Sequence, residues 1–372
     1  DKNMGTTPIR ILHMIASLEI GGSQAFVMNL YRNIDREKIQ FDFIIDHTHD
    51  MYFQKEIESL GGKIFVLPTY RGYNLLEIKK AWHTFFKEHP EYKVLHSHSR
   101  SYASLYLPVA KKYGVKTIIH SHSTSNGKGA GALLKAELQY PLRYQADSFM
   151  ACSKEAGVWL FGEKVCRGEK FQVVKNAIDA KKLIFNKDKR KSARAELGIG
   201  DEFTLGFLAR VMPPKNPVFV IEVFSEIKKK DNKAKLLYVG DGVLLPKVKE
   251  RARELGVEKD IIFTGARADV DNMLFAMDCY ILPSLWEGLG ISLIEAQASG
   301  IRCVCSENIQ KEAIVTDLVK QMNLSEGAEV WAEEILCEPK RERDNCFEII
   351  EKVGYDIESN ARRIEDYYMT LA

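Results

Sequence analysis

The stretch Ile9-Arg-Ile-Leu-His-Met-Ile-Ala-Ser-Leu-Glu-Ile-Gly-Gly-Ser-Gln-Ala-Phe-Val-Met-Asn-Leu-Tyr31 decides the fold. Ile9–Ile15 is an apolar run that ends in Ser17, Gly21 and Gly22, and a helical pattern follows from Gln24 to Tyr31. That is strand, glycine turn, helix. The alternation continues with strands at Phe41–Ile45 and Lys63–Leu67 around a short helix at Phe53–Leu60. Helical spacing returns at Leu75, Ile78, Trp82 and Phe85, and strands follow at Val94–His96, Thr117–His120 and Ser148–Cys152. Strands alternating with helices at this spacing predict an α/β chain with a mainly parallel, doubly wound sheet.

The rhythm breaks between Asn176 and Lys191, where Lys187-Asp-Lys-Arg-Lys191 reads as a solvated linker or a helix start. It then restarts. Strands are predicted at Thr204–Leu208, Lys235–Val239, Ile261–Thr264, Cys279–Leu282 and Cys303–Cys305. Helices are predicted between them at Val218–Lys229, Leu244–Leu255, Val270–Ala276 and Leu293–Ala298. Two Rossmann-like units in tandem place a ligand cleft between the C-terminal edges of two sheets. The domains expected are 1–180 on the acceptor side, 181–355 for a nucleotide sugar, and a helix at 356–372 returning to the first.

A chain of 372 residues, 45% hydrophobic and 28% charged, suits two ordinary globular domains. No long uncharged apolar run offers a bilayer span. Asp1–Arg10 lacks the basic and apolar regions of a secretory signal, so a cytoplasmic location is expected. Seven cysteines without a CxxC pair argue for a reducing compartment, with Cys303 and Cys305 read as buried apolar thiols. Residues 1–180 carry 24 Lys/Arg against 18 Asp/Glu, and residues 181–372 carry 29 against 33. A modestly basic first domain suits an anionic acceptor or membrane face, or is simply a solvated surface. No nucleic-acid partner is expected.

The most specific motif is Glu287-Gly-Leu-Gly-Ile-Ser-Leu-Ile-Glu295. A helix beginning near Gly290, Ile291 and Ser292 offers free backbone N–H groups to an anion. Flanking carboxylates can accept hydrogen bonds from sugar hydroxyls. Arg210 and Lys215, following the 204–208 strand, can neutralise a diphosphate leaving group. Gly21-Gly22 allows close backbone approach to a ligand. Gly240-Asp-Gly242 lacks the third glycine of a dinucleotide fingerprint, Leu245 standing in its place, which disfavours a nicotinamide dehydrogenase.

Two His-Ser-His triplets, His96–His98 and His120–His122, follow strands. Each could chelate a transition metal, but strand-end histidines lining a cleft are the commoner arrangement, and no metal is expected. Leu134, Leu138 and Leu142 recur at helical spacing before and after Pro141. They read as a core-facing amphipathic helix or, with Lys128, Lys135 and Arg143, as a basic apolar lip making weak peripheral membrane contact.

Around these motifs the chain resembles the retaining glycosyltransferases of family 4, of the bacterial surface-polysaccharide and glycolipid type, whose fold is GT-B. The resemblance rests on Glu287 and Glu295 as the E-x7-E pair, Arg210 and Lys215 as the basic pair, and Gly21-Gly22 as the double-glycine loop. Gly240-Asp-Gly, Thr264-Gly265 and Asn176-Ala-Ile-Asp179 also match, in order along nearly the whole chain. Departures are Ser23-Gln24 for Ala-Glu, Ala177 for a glycine and Asn216 for a glycine.

The resemblance implies transfer from a nucleotide diphosphate sugar, with UDP as the expected nucleotide, to a glycan or lipid-linked acceptor, with no metal or other cofactor. It gives Glu295 to ribose hydroxyls, Glu287 to the sugar, Gly265 and Ala266 to the base, and Gly22 to the diphosphate. His122, with His120 as competitor, is implied to lie near the transferred sugar. The rival readings are a nucleotide-sugar epimerase, a phosphorylase, or a non-catalytic nucleotide-sugar-binding protein.

Overall fold

A computed structural model describes residues 7–124 and 130–372. The chain divides into two compact units, one comprising residues up to Ala177 plus Ile357–Ala372, the other Ile178–Asp356.

Among the described residues the first unit carries seven strands: β1 (Ile9–Met14), β2 (Ile39–Ile45), β3 (Ile64–Val66), β4 (Val94–Ser97), β5 (Lys116–Ser121), β6 (Ser148–Ala151) and β7 (Phe171–Val173). They pair in the order β3-β2-β1-β4-β5-β6-β7, all parallel. Both faces of this sheet are covered, which is why its strands read as apolar runs rather than alternating ones. Ile11, Phe41, Phe43, Val94 and Ile118 join one core layer, while their neighbours Leu12, Ile44, Leu95 and Ile119 join the opposite layer with Trp82 and Tyr106. The first layer is completed from far along the chain, by Ile357, Ala361, Ile364 and Tyr368 of the helix Ile357–Leu371. Glu365 of that helix accepts the Asp35 N–H at 2.5 Å, and Tyr367 Oη lies 2.5 Å from Ser148 Oγ.

The second unit repeats the plan with β8 (Thr204–Leu208), β9 (Lys235–Val239), β10 (Ile261–Gly265), β11 (Cys279–Leu282), β12 (Arg302–Ser306) and β13 (Val319–Met322). Their order is β10-β9-β8-β11-β12-β13, again all parallel. The unit's two ends meet, since Ile178 N–H donates to Tyr355 O at 2.8 Å. In each sheet the winding direction reverses at one place, between β1 and β4 and between β8 and β11. Doubly wound sheets bind ligands in the crevice beyond the carboxyl ends of such strands.

Two segments carried alternative readings that the structure decides, and for the first the helix-start reading holds. The basic run from Lys187 lies in a regular helix, Lys187–Glu196, capped by Asn186 Oδ1 accepting the Lys189 N–H at 2.9 Å. Arg190 and Arg194 pin it to Asp278 and to the carbonyls of Phe275, Ala276 and Met277. Charge there is used for docking, which a reading of solvated lysines misses. The core-facing reading of the leucine segment fails for Leu133 and Leu134, which are 72% and 56% exposed on the helix Ala130–Gln139. Lys128 lies outside the described residues. All seven cysteines are free, with Cys303 and Cys305 buried. No described helix is long and apolar enough to cross a membrane.

Candidate active site

Four segments of the second unit line the carboxyl edge of its sheet in strand order: Gly265–Ala266 after β10, Gly240–Gly242 after β9, Arg210 after β8, and the loop and helix after β11. Gly240 holds φ +142, and a Cβ there would stand 1.9 Å from Ala209 O. Only glycine lets this loop close on the end of β8, where Val211 N–H donates to Asp241 O at 2.9 Å. Gly240 N–H reaches across to Gly265 O at 2.9 Å, tying the Gly265–Ala266 segment to the same edge. The backbone under Arg210 is therefore fixed, while its exposed guanidinium has no hydrogen-bond or ion-pair partner among the described residues.

After Arg210 the chain makes a short turn, Pro213–Lys215, and Asn216 adopts the left-handed conformation (φ 52, ψ 50) before the helix Pro217–Lys230. Asparagine tolerates that conformation better than most residues, which accounts for it standing in a glycine's place. The turn is joined to the loop after β11. Leu285 N–H donates to Pro214 O at 2.8 Å, and Lys215 Nζ sits 2.5 Å from both carboxylate oxygens of Glu287. Ser284 Oγ donates to Glu287 Oε1 at 2.6 Å, and Glu287 itself is only 5% exposed. Sequence reasoning set Lys215 and Glu287 at one site without seeing that they neutralise each other, and it missed Ser284. Its only signal was a hydroxyl three residues before a loop acid.

Gly290, at φ +78, turns the loop into the helix Ile291–Ala298. Leu293 and Ile294 N–H donate back to Gly290 O, leaving the N–H groups of Ile291 and Ser292 without acceptors among the described residues. The positive end of the helix dipole adds to their attraction for an anion. Ser292 Oγ is held 2.9 Å from Tyr280 Oη. One turn on, the partly buried Glu295 carboxyl has no hydrogen-bond or ion-pair partner among the described residues, and burial pushes it up to about 7. The edge thus combines a free cation, free amides, an ion pair and an unpartnered carboxyl. It can bind a diphosphate and accept hydroxyl hydrogen bonds beside it.

In the first unit, Gly22 begins the helix Gly22–Asn33, and a Cβ there would meet nothing within 4 Å. Its own packing does not require glycine. A Cβ on Gly21, by contrast, would stand 2.5 Å from Gln24 Oε1, whose amide donates to Ser17 O. His120 is sealed at the end of β5, whereas His122 as a residue is only partly buried. Burial first, and then the nearby Arg100 guanidinium, push His122 down to about 3, so it is neutral at physiological pH.

Residues 20–182 match the model of Glycosyltransferase Family 4, and residues 189–336 match that of Glycosyl transferases group 1. The chain is 31% identical to the Bacillus subtilis (strain 168) protein named as glycosyltransferase EpsF, over 98% of this chain and 97% of that one. The chain belongs to the family 4 glycosyltransferases. This glycosyltransferase is also 24% identical to the UDP-Gal:alpha-D-GlcNAc-diphosphoundecaprenol alpha-1,3-galactosyltransferase of Escherichia coli, over 80% of the chain and 79% of that enzyme. Solved structures share its GT-B fold. A glycosyltransferase from Rickettsia africae superposes with a TM-score of 0.75 at 16% identity, covering 98% and 99% of the two chains. Anabaena Alr3699/HepE in complex with UDP gives 0.69 at 17% identity, covering 96% and 95%. Glycosyl transfer is the activity of this family.

Proposed function

We propose that the enzyme transfers a sugar from a UDP-sugar to a lipid-linked glycan, with retention of configuration and without a metal at the diphosphate. The observation that carries this reading is the unpartnered Arg210 guanidinium on the same sheet edge as the free Ile291 and Ser292 amides. These groups would take the diphosphate and stabilise charge as it leaves, which is the largest single contribution in most such reactions. The edge from Gly265 to the Ile291 helix spans three strand spacings, about 14 Å, on the order of the extent of a nucleoside diphosphate. Gly265 and Ala266 would meet the base, and Glu295 the ribose hydroxyls. Glu287 spends three acceptor positions on Lys215 and Ser284, leaving one of about four for a sugar hydroxyl.

Neither carboxylate is offered as a covalent nucleophile, one being paired and the other set within a helix. We therefore read the reaction as front-face substitution. The acceptor hydroxyl bonds to the anomeric carbon, the bond to the diphosphate oxygen breaks, and that oxygen takes the acceptor's proton. A neutral His122 would act on a sugar hydroxyl as a hydrogen-bond partner rather than as an acid. A UDP donor is also in keeping with the Anabaena complexes and the name of the Escherichia coli relative.

Calorimetric titration with UDP in the presence of EDTA tests the donor site. Binding should persist with chelator and strengthen from pH 6 to pH 8, as Glu295 ionises and becomes a better acceptor for the ribose. In the unliganded protein the same raised value runs the other way. Its contribution to stability is full below the unfolded carboxyl range and is lost as pH rises through about 7, by at most ~1.4 kcal/mol per unit. Glu295→Gln should weaken UDP and flatten the pH dependence that UDP's own phosphate does not supply. Binding that needs Mg²⁺, or a Glu295→Gln profile matching the parent, would overturn these assignments.

For the acceptor, the helix Ala130–Gln139 and the turn after it expose Leu133, Leu134, Tyr140 and Tyr144 beside Lys135. Arg143 stacks on Tyr140 at 4.3 Å and donates to Leu160 O, so Lys135 is the freer cation. An apolar stripe with a basic flank suits the face of an anionic membrane, where lipid-linked acceptors sit. Sedimentation with phosphatidylglycerol vesicles at low salt should bring down the parent protein and much less of Leu133→Ser/Leu134→Ser/Lys135→Glu. Equal sedimentation of both would mean that the acceptor is met in solution.

A further inference from the structure

Five of the nine histidines converge in the first unit, and nucleotide chemistry uses at most one. His13 comes from β1, His96 from β4, His120 from β5, and His98 and His122 from just beyond β4 and β5. His13, His96 and His120 are fully buried and His98 is 8% exposed. They form two chains. In one, His96 Nδ1 lies 2.6 Å from Tyr368 Oη and its Nε2 lies 3.1 Å from His120 Nδ1. In the other, His13 Nδ1 lies 3.0 Å from His98 Nε2, and His98 Nδ1 lies 2.9 Å from His122 Nε2.

A neutral imidazole has one N–H and one lone pair. Let His120 donate its Nδ1–H to His96, and His96 pass its own Nδ1–H to Tyr368. His120 Nε2 is then a bare lone pair, and it is a buried nitrogen without a hydrogen-bond partner. Let His98 donate its Nε2–H to His13. Its Nδ1 is then a lone pair facing His122 Nε2, and a shift of the His122 proton to Nδ1 makes that nitrogen a lone pair too. One ring nitrogen from each of His98, His120 and His122 lies within 4.8 Å of the others. Two nitrogens each ~2.0–2.1 Å from one tetrahedral ion stand about 3.3–3.4 Å apart, so the 2.9 Å between His98 and His122 would need to open by about half an ångström.

We propose that His98, His120 and His122 form a binding site for a first-row transition-metal ion. Imidazole nitrogens without a carboxylate select Zn²⁺, Cu²⁺, Ni²⁺ or Co²⁺ over Mg²⁺ and Ca²⁺. His13 and His96 would supply the outer hydrogen bonds that fix ligand tautomers in such sites, with Tyr368 behind His96. His122, the least buried of the three, would give the ion a way in and leave a fourth position for water. The three ligands belong to the first unit, whereas Arg210 and the Ile291 and Ser292 amides belong to the second, so the metal independence proposed for the donor concerns a different set of residues.

The test is equilibrium dialysis of the untagged full chain against ZnCl₂, with metal content read by mass spectrometry. One Zn²⁺ per chain should be retained, and excess Mg²⁺ should not displace it. Affinity should fall at least about tenfold in His122→Asn, and about 10–100-fold in His13→Asn, which removes only an outer partner. His47→Asn/His49→Asn should bind as the parent does, these histidines being exposed and paired with Asp46 and Glu19. Circular dichroism checks that each variant is folded, and the half-buried His122 position keeps the test decisive if a deeper substitution unfolds. Absence of stoichiometric Zn²⁺, or loss of binding in the His47/His49 variant with retention in His122→Asn, would overturn the proposal.

Discussion

Arg210→Ala is expected to lower kcat by about 10²–10³-fold while leaving thermal stability at the parent value. The expectation follows from an asymmetry in how the side chain is held. Its backbone is locked by Gly240 and Asp241, yet the exposed guanidinium has no carboxylate or carbonyl partner among the described residues. Removing it breaks nothing structural and takes away only charge offered to the leaving diphosphate. Arg210→Lys should recover part of the rate, because a point charge replaces a bidentate fork. A loss below tenfold with alanine, or a fall in melting temperature comparable to the fall in rate, would show that the diphosphate is stabilised elsewhere.

Lys215 should behave differently. Lys215→Ala strands the Glu287 carboxylate, which is 5% exposed, with Ser284 its one remaining side-chain partner among the described residues. Breaking one side of such a buried pair costs about 3–5 kcal/mol. Urea denaturation should register that loss, and activity should fall with it. Adding Glu287→Gln should restore much of the stability, since a neutral amide no longer needs the cation, while turnover stays low. If the single and double variants are equally unstable, the ion pair is not what holds the loop after β11 to the turn at Pro213.

The two doubly wound sheets were legible because each central strand is buried on both faces and spelled in apolar residues. The edges were not. Val319-Lys-Gln-Met322 is a polar edge strand, and Phe171–Val173 is only three residues long. Pro108 lies inside the helix Ala103–Lys112 and disguises it. At the site, the resemblance picked out Arg210, Lys215, Glu287 and Glu295, and spacing explained why a helix begins at Ile291. Partnership could not be read that way. Nothing in sequence order says that Lys215 closes on Glu287 while Arg210 stays free, because that depends on the Pro214 carbonyl capturing the Leu285 amide. The histidine cluster shows the same limit, its fifth member coming from β1 and its tyrosine from the last helix.

That last helix also sets a timetable. Ala361, Ile364 and Tyr368 complete the core over Phe41, Phe43 and Val94, but leave the ribosome only after all of Ile178–Asp356. At ~5–20 residues per second, the first-made sheet keeps that apolar face uncovered for on the order of ten to forty seconds. The second unit, whose ends meet at Ile178 and Tyr355, can close within that interval. Each nascent chain would finish its middle before its beginning, relying on chaperones to guard the open face. A premature stop just after Asp356 would spare the nucleotide edge and cripple the part translated first.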